Sequence, residues 1–293
     1  MTDEWGQTNE SQKTVANSLV PIRLSFMPIK ASIAVRDLSQ PEFDQRDAVV
    51  MRCAYAAQNA LGRLCDEQVY ENDIALRLQA EGFSAVQTQV RVVVTHAGFT
   101  KEYLLDLVAD DALYELKTVA AFAPQHDAQI LHYAMLLGVR HGKLLNFRTG
   151  KVQGRLRFNA LSDEERRQWT RDDHAWRSFS SECAALKQRA CDILADWGAC
   201  LDTRLYEEAL IYFCGSESVC ERRLPVVRDG VALGTHRFTF HSQAVPFVVT
   251  SLHDNTHAHR SHLLRLMKLT SLHALQWINL NRHRVEFQTL TFE

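Results

Sequence analysis

The chain has 293 residues, a length that accommodates two domains of ordinary size. Hydrophobic residues make up 46% of the sequence and charged residues 23%, which is typical of a folded globular protein and excludes a chain that is disordered throughout. The formal net charge of −2 excludes a globally basic protein, so binding to nucleic acid would depend on a local basic patch or on metal ions.

An N-terminal extension, 1–45, precedes the first strong helical pattern. Residues 1–18 are polar and acidic and are predicted to be disordered, whereas 19–45 contain three prolines and are predicted to be extended or irregular. The extension lacks the basic start and apolar core of a signal peptide, and no later apolar run is long enough to cross a bilayer. These features predict a cytoplasmic protein that does not bind membranes.

A helical pattern opens the segment 46–158. It runs from Asp47 to Gln79, is interrupted near Gly62 and stops at Gly82. The seven cysteines of the chain are odd in number and include no CxxC pair, which predicts reduced, mostly buried thiols rather than disulfides or a zinc ribbon.

Three strand patterns follow this helix: VQTQVRVVVTHAG, EYLLDLVAD and LYELK. Pro124 then opens a helix that Gly138 closes, and GKLLNF is predicted to be the last strand of the unit. The charged stretch 159–181 is predicted to be a linker that packs partly on its neighbours.

The second half of the chain, 182–293, repeats the pattern of the first. LGRLCDEQVYENDIAL aligns with WGACLDTRLYEEALIY, FTKEYLLDLVADDALYELK with GTHRFTFHSQAVPFVVTSL, and HDAQILHYAMLLGVRHGKLLNF with HRSHLLRLMKLTSLHALQWINL. The apolar rhythm persists, but polar residues change: Glu67 to Thr203, Asp106 to His241, Glu115 to Thr250, Lys117 to Leu252 and Gln129 to His262. The second copy is therefore predicted to keep the fold without the chemistry.

Asp106 lies inside an otherwise apolar strand, where an ionised carboxylate is costly unless it is compensated. Strand alternation puts Glu115 and Lys117 on one face, and a short turn at Asp110 and Asp111 allows Asp106 to reach the same place. Two converging carboxylates suit Mg²⁺ or Mn²⁺, and a neighbouring lysine can orient or deprotonate a water molecule or stabilise charge on a phosphate. This combination indicates phosphodiester hydrolysis.

These residues resemble a known family. Asp106 followed by Glu115-Leu116-Lys117 is similar to the D…(D/E)xK signature of the PD-(D/E)XK nuclease superfamily, and Gln129 with Tyr133 resembles the QxxxY motif of its RecB-like branch. Most of 50–150 resembles the bacterial GxxExxY proteins of that superfamily, although Leu64 stands where their first glycine is expected.

The resemblance implies a role for each candidate residue. Asp106 and Glu115 would be metal ligands, Lys117 would be the catalytic lysine, and Glu67 would be a supporting acidic group at the metal. Gln129 would contact the metal-bound water or the DNA backbone, and Tyr133, one helical turn away, would line the site.

The predicted architecture is α/β, with two tandem restriction-endonuclease-like units at 46–158 and 182–293, each a central mixed β-sheet flanked by helices. The predicted function is hydrolysis of nucleic acid, with DNA as the substrate, by the first copy with Mg²⁺ or Mn²⁺. The second copy would pack on the first as an intramolecular pseudo-dimer, and a homodimer is a further arrangement. The alternative is a non-catalytic nucleic-acid-binding or scaffold protein.

Two further clusters lie in the second copy. Zinc binding and a polar loop both fit the histidine-rich stretch HDNTHAHRSH, and the absence of a paired cysteine or of HExxH favours the polar loop. Phosphate contact and ordinary surface charge both fit four arginines, Arg222, Arg223, Arg228 and Arg237.

Overall fold

The computed structural model describes residues 28–292. The predicted disorder of 1–18, and the part of the extension up to residue 27, lie outside the described residues. Within 28–292, no helix is both long enough and apolar enough to cross a membrane.

The first unit is a six-stranded mixed sheet with helices on both faces. Its strands follow the chain order β1 to β6 across the sheet, and β4 with β5 is the parallel pair, which the helix α3 connects. The elements are β1 (Ile29–Ala31), α1 (Gln40–Leu61), α2 (Glu67–Ala80), β2 (Val86–His96), β3 (Phe99–Ala109), β4 (Ala112–Lys117), α3 (Pro124–Leu137), β5 (His141–Asn146) and β6 (Gln153–Phe158).

The structure confirms the three consecutive strands, the helix that Pro124 opens and the helix break at Gly62. The prediction of irregular chain up to residue 45 is wrong from Gln40 onward. Pro41 lies in the first turn of α1, where a backbone N–H makes no hydrogen bond within the helix, so proline is tolerated there. The Ser39 N–H donates to Glu42 Oε2 at 2.9 Å, which caps the helix start. GKLLNF is not the last strand either, because β6 pairs with it.

The second unit contains a second six-stranded mixed sheet, in the order β8-β9-β10-β11-β12-β7. Its elements are α4 (Asp163–Arg167), β7 (Thr170–Ala175), α5 (Ser181–Trp197), α6 (Thr203–Phe213), α7 (Glu217–Cys220), β8 (Glu221–Arg228), β9 (Val231–Phe240), β10 (Pro246–Thr250), α8 (Thr256–Leu269), β11 (Ala274–Asn281) and β12 (Arg284–Thr291). Strands β8 to β12 repeat the order and pairing directions of β2 to β6.

The stretch 159–181, predicted as a linker, supplies a strand to the second sheet. β7 pairs in parallel with β12, at the edge opposite to the one that β1 occupies in the first sheet. Its charged residues form ion pairs with the second unit: Asp172 contacts Arg284, and Asp173 contacts Lys187 at 2.9 Å. The alternating charges that indicated a linker belong to a solvent-facing edge strand.

Two side-chain anchors recur at matching places in the two units. The Tyr70 hydroxyl donates to the Gly62 carbonyl at 2.7 Å, and the Tyr206 hydroxyl donates to the Gly198 carbonyl at 2.6 Å. The bonds tie α2 to the glycine that ends α1 and α6 to the glycine that ends α5. The bonds therefore align α1–α2 with α5–α6 residue by residue.

The second anchor is an asparagine on the central strand that follows the crossover helix. Asn146 donates to the Val119 carbonyl at 2.8 Å and accepts from the Val119 N–H at 3.2 Å. Asn279 makes the same two bonds with Leu252, at 3.0 and 2.8 Å. Val119 follows β4 and Leu252 follows β10, so this anchor shows which residues at the ends of the two strands correspond, independently of any sequence alignment.

One hydrophobic core runs through both units. It joins Val92 and Phe99 of the β2–β3 hairpin with Leu186 and Trp197 of α5. The Trp197 indole N–H also donates to the Thr95 carbonyl at 2.9 Å. Burial of apolar surface, with this polar contact, holds the two units together.

The turn between β3 and β4 brings the strands of the first unit into their register. Both of its residues, Asp110 and Asp111, have left-handed backbones, with φ of 43° and 73°, which suits a tight hairpin. The Asp110 carboxylate Oδ1 accepts bonds from Ser84 N at 3.1 Å, Ser84 Oγ at 3.0 Å and Ala85 N at 2.8 Å. This side chain therefore fixes the turn against the start of β2.

We expect Asp110→Ala to lower the free energy of unfolding by about 1–2 kcal/mol, because it leaves those donors without their acceptor and puts alanine in a left-handed backbone. Urea unfolding followed by circular dichroism measures the change. The control is Asp110→Asn, which keeps the acceptor oxygen and tolerates the backbone, and it should lose less than half as much. Equal losses in the two variants would contradict this account of the turn.

His132 on α3 is buried at the junction of the units. Its Nδ1 accepts the Asp202 N–H at 3.2 Å, and its ring lies edge-on to Tyr103 with centroids 4.8 Å apart. Burial lowers the pKa of His132 to about 4, against a weaker opposing effect of the Asp202 charge. The neutral ring is therefore the form that fits the folded chain.

The folded pKa of His132 lies below that of an unfolded histidine, about 6.5. The contribution of the neutral His132 ring to the free energy of unfolding is therefore fully present near pH 7 and is lost as the pH drops from 6.5 towards 4. The loss from this group reaches about 3 kcal/mol. Burial lowers the pKa of His241 to about 4 as well, so it adds a similar loss. The raised pKa values of Glu115 and Asp106 act in the opposite sense over the same pH range, so the test is the difference between parent and variant. Between pH 7 and pH 5, measured by denaturant unfolding, the parent should lose about 2 kcal/mol more of its free energy of unfolding than His132→Gln does. An unchanged pH dependence in the variant would show that His132 does not carry it.

Candidate active site

Adjacent strands place Asp106 and Glu115 side by side. Leu107 pairs with Tyr114 across β3 and β4, and the next position in this register sets Asp106 beside Glu115. The Leu116 N–H donates to Asp106 Oδ2 at 2.8 Å, which fixes that carboxylate against β4. The structure thus brings the two predicted metal ligands to one point of the sheet.

Strand alternation separates the site from the core of the first unit. Leu116 points into the core formed with α1 and α2, whereas Glu115 and Lys117 face the side that α3 covers. Lys117 Nζ donates to Glu115 Oε1 at 2.7 Å, and the two side chains are 12% and 2% exposed. Glu115 Oε2 is buried without any hydrogen-bond donor.

The electrostatics of the site are unfavourable for two ionised carboxylates. Burial, followed by the charge of Asp106, raises the pKa of Glu115 to about 8. Burial also raises the pKa of Asp106. Burial acts to lower the pKa of Lys117, but the charges of Glu115, Asp106 and Glu67 outweigh it and leave that pKa raised. The lysine is therefore held as an ammonium, whereas the carboxyl pair lacks a second cation.

Glu67 reaches the site from the first turn of α2. Its Oε1 accepts bonds from Thr118 N at 2.9 Å and from Thr118 Oγ1 at 3.4 Å. The bond to the backbone fixes the chain immediately after Lys117. Glu67 also lies close enough to raise the pKa values of Asp106 and Glu115 through its charge.

Gln129 and Tyr133 line the site from α3. They lie one helical turn apart, and Gln129 Nε2 donates to the Tyr133 hydroxyl at 3.1 Å. Burial raises the pKa of Tyr133, and the nearby charges of Glu115 and Asp106 add to the effect. All six residues singled out from the sequence therefore surround one point between β3, β4, α2 and α3.

Sequence reasoning missed a further buried acid, Glu71. It is 2% exposed, and its carboxylate accepts bonds from Gln89 Nε2 at 2.7 Å and Gln68 Nε2 at 3.1 Å. Gln89 stands opposite Asp106 in the β2–β3 register and has a left-handed backbone, with φ of 50°. The signal in the sequence was the spacing of Glu71, one helical turn after Glu67.

The second unit keeps an acid at the matching position, Glu207, and burial raises the pKa of Glu207 as it does that of Glu71. Because an acid stands at this position in both units, it is not a feature of the candidate active site, which only the first unit has. Glu71 therefore fits a structural tie between α2 and the distorted part of β2.

The residues present fit a divalent metal ion of the magnesium type. Across residues 28–292, no three His, Cys, Asp or Glu side chains form a ready-made metal cluster. Glu67, predicted as a supporting acid at the metal, binds the chain at Thr118, which leaves Asp106 and Glu115 as the pair that would hold the ion. Mg²⁺ is commonly bound by one or two carboxylates, with water and substrate oxygens completing its shell. The buried Glu115 Oε2 without a donor supplies an oxygen with the capacity to bind such an ion.

The matching place in the second unit holds no such pair. Thr250 pairs with Asn279 as Lys117 pairs with Asn146, so Thr250 takes the place of Lys117, and Val248 takes the place of Glu115. The sequence alignment set Thr250 on Glu115 and Leu252 on Lys117. It is therefore wrong by two residues, which is one period of side-chain alternation along a strand. The correction leaves the conclusion intact, since neither replacement is ionisable.

The counterpart of Asp106 also changes. Extending the β9–β10 register sets Phe238 beside Val248, and both belong to a hydrophobic cluster with α8. His241 instead lies in the loop after β9, with its Nε2 3.9 Å from Cys183 Sγ. A five-residue loop, 241–245, replaces the two-residue turn of the first unit, so β9 and β10 are spaced differently along the sequence from β3 and β4.

The comparisons with known proteins agree with this geometry. Residues 44–158 match the family model of the PD-(D/E)XK nuclease superfamily. A PD-(D/E)XK domain therefore occupies the first half of the chain, and its fold is the mixed α/β sheet described above. None of the curated proteins and none of the solved structures matches the chain.

We expect Mn²⁺ to raise the thermal unfolding midpoint of the parent protein by a few degrees, because binding to the folded state stabilises it by mass action. Asp106→Asn should abolish this rise. In EDTA the variant should be at least as stable as the parent, since it removes a buried charge beside Glu115. Differential scanning fluorimetry measures both effects, and Glu102→Gln on the exposed part of β3 is the control. An equal rise in Asp106→Asn would place metal binding elsewhere.

Proposed function

We propose that the protein is a metal-dependent nuclease that hydrolyses phosphodiester bonds of nucleic acid, with DNA as the substrate. The observation that carries the proposal is the buried pair Asp106 and Glu115 beside the Lys117 ammonium, within the part of the chain that matches a nuclease superfamily. The finer resemblance to the GxxExxY proteins rests on Glu67 and Tyr70 at the start of α2.

Asp106 and Glu115, on neighbouring positions of β3 and β4, would hold Mg²⁺ or Mn²⁺ with their carboxylate oxygens. When bound, the ion would neutralise the carboxylate pair and polarise the phosphate. The Leu116 N–H keeps Asp106 in place, and the Thr118 N–H keeps the end of β4 against Glu67. The chain thus supplies a site whose ligands need little rearrangement.

Lys117 acts as a fixed positive charge in this proposal. In the absence of metal the surrounding carboxylates raise its pKa, so the side chain is an ammonium there. An ammonium at this position stabilises the negative charge that develops on the phosphate oxygens. It also orients the attacking water by hydrogen bonding.

Gln129 and Tyr133 contribute contacts from α3. Gln129 is half-buried, and its amide has both donor and acceptor capacity beyond the one bond to Tyr133. We assign Gln129 to the substrate backbone or to the attacking water, and Tyr133 to holding the Gln129 amide in position.

The second unit is a copy that has lost the site. The repeated tyrosine and asparagine anchors and the repeated strand order support a common origin, and Phe238, Val248 and Thr250 stand where the ligands and the lysine stand in the first unit. The Thr250 hydroxyl accepts a hydrogen bond from the Trp277 indole N–H at 2.8 Å, so a packed side chain contacts the position that corresponds to Lys117. In this proposal the second unit packs on the first as an intramolecular pseudo-dimer.

The test is cleavage of supercoiled and single-stranded DNA with Mg²⁺ or Mn²⁺ by the parent, Asp106→Ala and Lys117→Ala. Each variant should lose at least about 100-fold in rate, since each removes a group that acts on developing charge. Thr250→Val makes a change at the counterpart of Lys117 and should cleave as the parent does. Circular dichroism confirms that each variant is folded.

The alternative, a non-catalytic binding or scaffold protein, gives a different result. The parent would bind labelled DNA in a gel-shift assay without cleaving any substrate under either metal. Cleavage that survives in both site variants would also contradict the proposal, because it would come from another site or another protein.

A further inference from the structure

Three cationic side chains stand at the end of the first sheet where the parallel strands β4 and β5 both finish. They are Arg63 in the α1–α2 connection, with Arg148 and Lys151 in the β5–β6 connection, and together we call them the basic rim. All three are exposed, and within 28–292 none of them makes an ion pair or a side-chain hydrogen bond. Their charges are therefore available to an anionic partner.

The backbone places Arg148 next to the end of β4, which carries Lys117. The Phe147 N–H donates to the Lys117 carbonyl at 2.9 Å. One residue further, the Arg148 N–H and the Val119 N–H both donate to Asn146 Oδ1, at 3.1 and 3.2 Å. The β5–β6 connection therefore starts beside the strand end at which the candidate active site lies.

Arg63 is held against the same connection, because it directly follows Gly62. The Tyr70 hydroxyl bonds to the Gly62 carbonyl, and the Tyr70 ring stacks on Phe147 with centroids 4.4 Å apart. Gln58, one helical turn before Gly62, donates from its Nε2 to the Phe147 carbonyl at 2.8 Å. The α1–α2 and β5–β6 connections thus meet through buried side chains, with their cations on the outside.

Lys151 belongs to the same short connection as Arg148. Thr149 Oγ1 donates to the Lys151 carbonyl at 2.6 Å, which closes the connection into a turn. Burial raises the pKa of Tyr70, and the charge of Arg148 is near enough to act against that rise. The basic rim is therefore one local patch of positive charge in a chain whose formal net charge is −2.

The arginines of the second unit differ, because most of them are engaged. The Arg222 guanidinium lies 3.9 Å from the centre of the Phe240 ring, and Arg237 pairs with Glu221 at 2.6 Å. Arg223 Nε donates to a threonine hydroxyl at 3.0 Å. These contacts favour ordinary surface charge over phosphate contact for this group of residues.

We propose that the basic rim binds the phosphodiester backbone of the nucleic acid beside the bond that is cleaved. This inference rests on the proposed function, since the pair Asp106 and Glu115 is what would bring a phosphate to this end of the sheet. A strand held there carries further phosphates, each with a negative charge, and arginine and lysine are common partners of such groups. Contacts of this kind fix the position of the strand without reading its sequence.

The test is the affinity for a fluorescent DNA duplex with a single-stranded tail, measured by anisotropy in EDTA over a range of salt concentrations. We expect Arg63→Gln, Arg148→Gln and Lys151→Gln each to weaken binding about three- to tenfold at low salt. Each should also lower the slope of log Kd against log salt by about 1, since one phosphate contact is lost. Arg228→Gln, which removes an exposed arginine of the second unit, is the matched control and should bind as the parent does.

Cleavage and metal binding separate this result from the proposed function. With Mg²⁺ or Mn²⁺ the three variants should raise KM more than they lower kcat, and Mn²⁺ should still raise their thermal unfolding midpoint, which also shows that they are folded. Variants with the affinity and salt slope of the parent overturn the basic rim, and so does equal weakening by Arg228→Gln or a parent that binds no DNA. A parent that shows the expected binding but cleaves nothing contradicts the proposed function and leaves the basic rim as a binding surface.

Discussion

Two carboxyl groups buried side by side, with one lysine beside them, set the demands that the first unit meets. Burial raises both pKa values, the charge of Asp106 adds to the rise at Glu115, and folding alone gives no second cation to relieve the pair. Three local features nevertheless hold them together: the tight Asp110–Asp111 turn, the Leu116 N–H on Asp106 and the bond from Thr118 to Glu67. A fold that maintains an unfavourable charge pair does so at a cost in stability, which is common at functional sites.

The anchors common to the two units show which features the fold itself requires. A tyrosine that bonds to a helix-ending glycine occurs in both units, and so does an asparagine that bonds to the chain after β4 or β10. Both units also carry an acid after that tyrosine, buried in Glu71 and half-buried in Glu207. The carboxylate pair and the lysine occur in the first unit alone. Where they are absent, Phe238 and Val248 fill the space with apolar packing. The scaffold is therefore independent of the charges that it carries.

The sequence predicted the elements from the α1–α2 helical region to β5 because their patterns are locally strong: β-branched strands, a proline at a helix start and glycines at helix ends. It missed the two edge strands of the first sheet, β1 and β6. It singled out Asp106 because that residue breaks an apolar pattern. It did not predict β7, because an edge strand held by ion pairs has no apolar alternation to reveal it. It missed Glu71 because the role of that side chain depends on Gln89, which only the tertiary structure brings near. The sequence alignment at Thr250 was wrong because the loop before β10 is longer than the corresponding turn of the first unit. The correct alignment follows from the pairing of Thr250 with Asn279, which only the sheet shows.

The position of β7 has a consequence for any attempt to separate the two halves. β12 pairs with β11 on one side and β7 on the other, so a second unit cut at residue 182 would expose the N–H and C=O groups of β12 that now pair with β7. Such an edge invites pairing with another chain and aggregation. The natural place to divide the chain lies before α4, near residue 160, where β6 has ended and no strand of the second sheet has begun. The stretch between the sheets is thus the first structural part of the second unit.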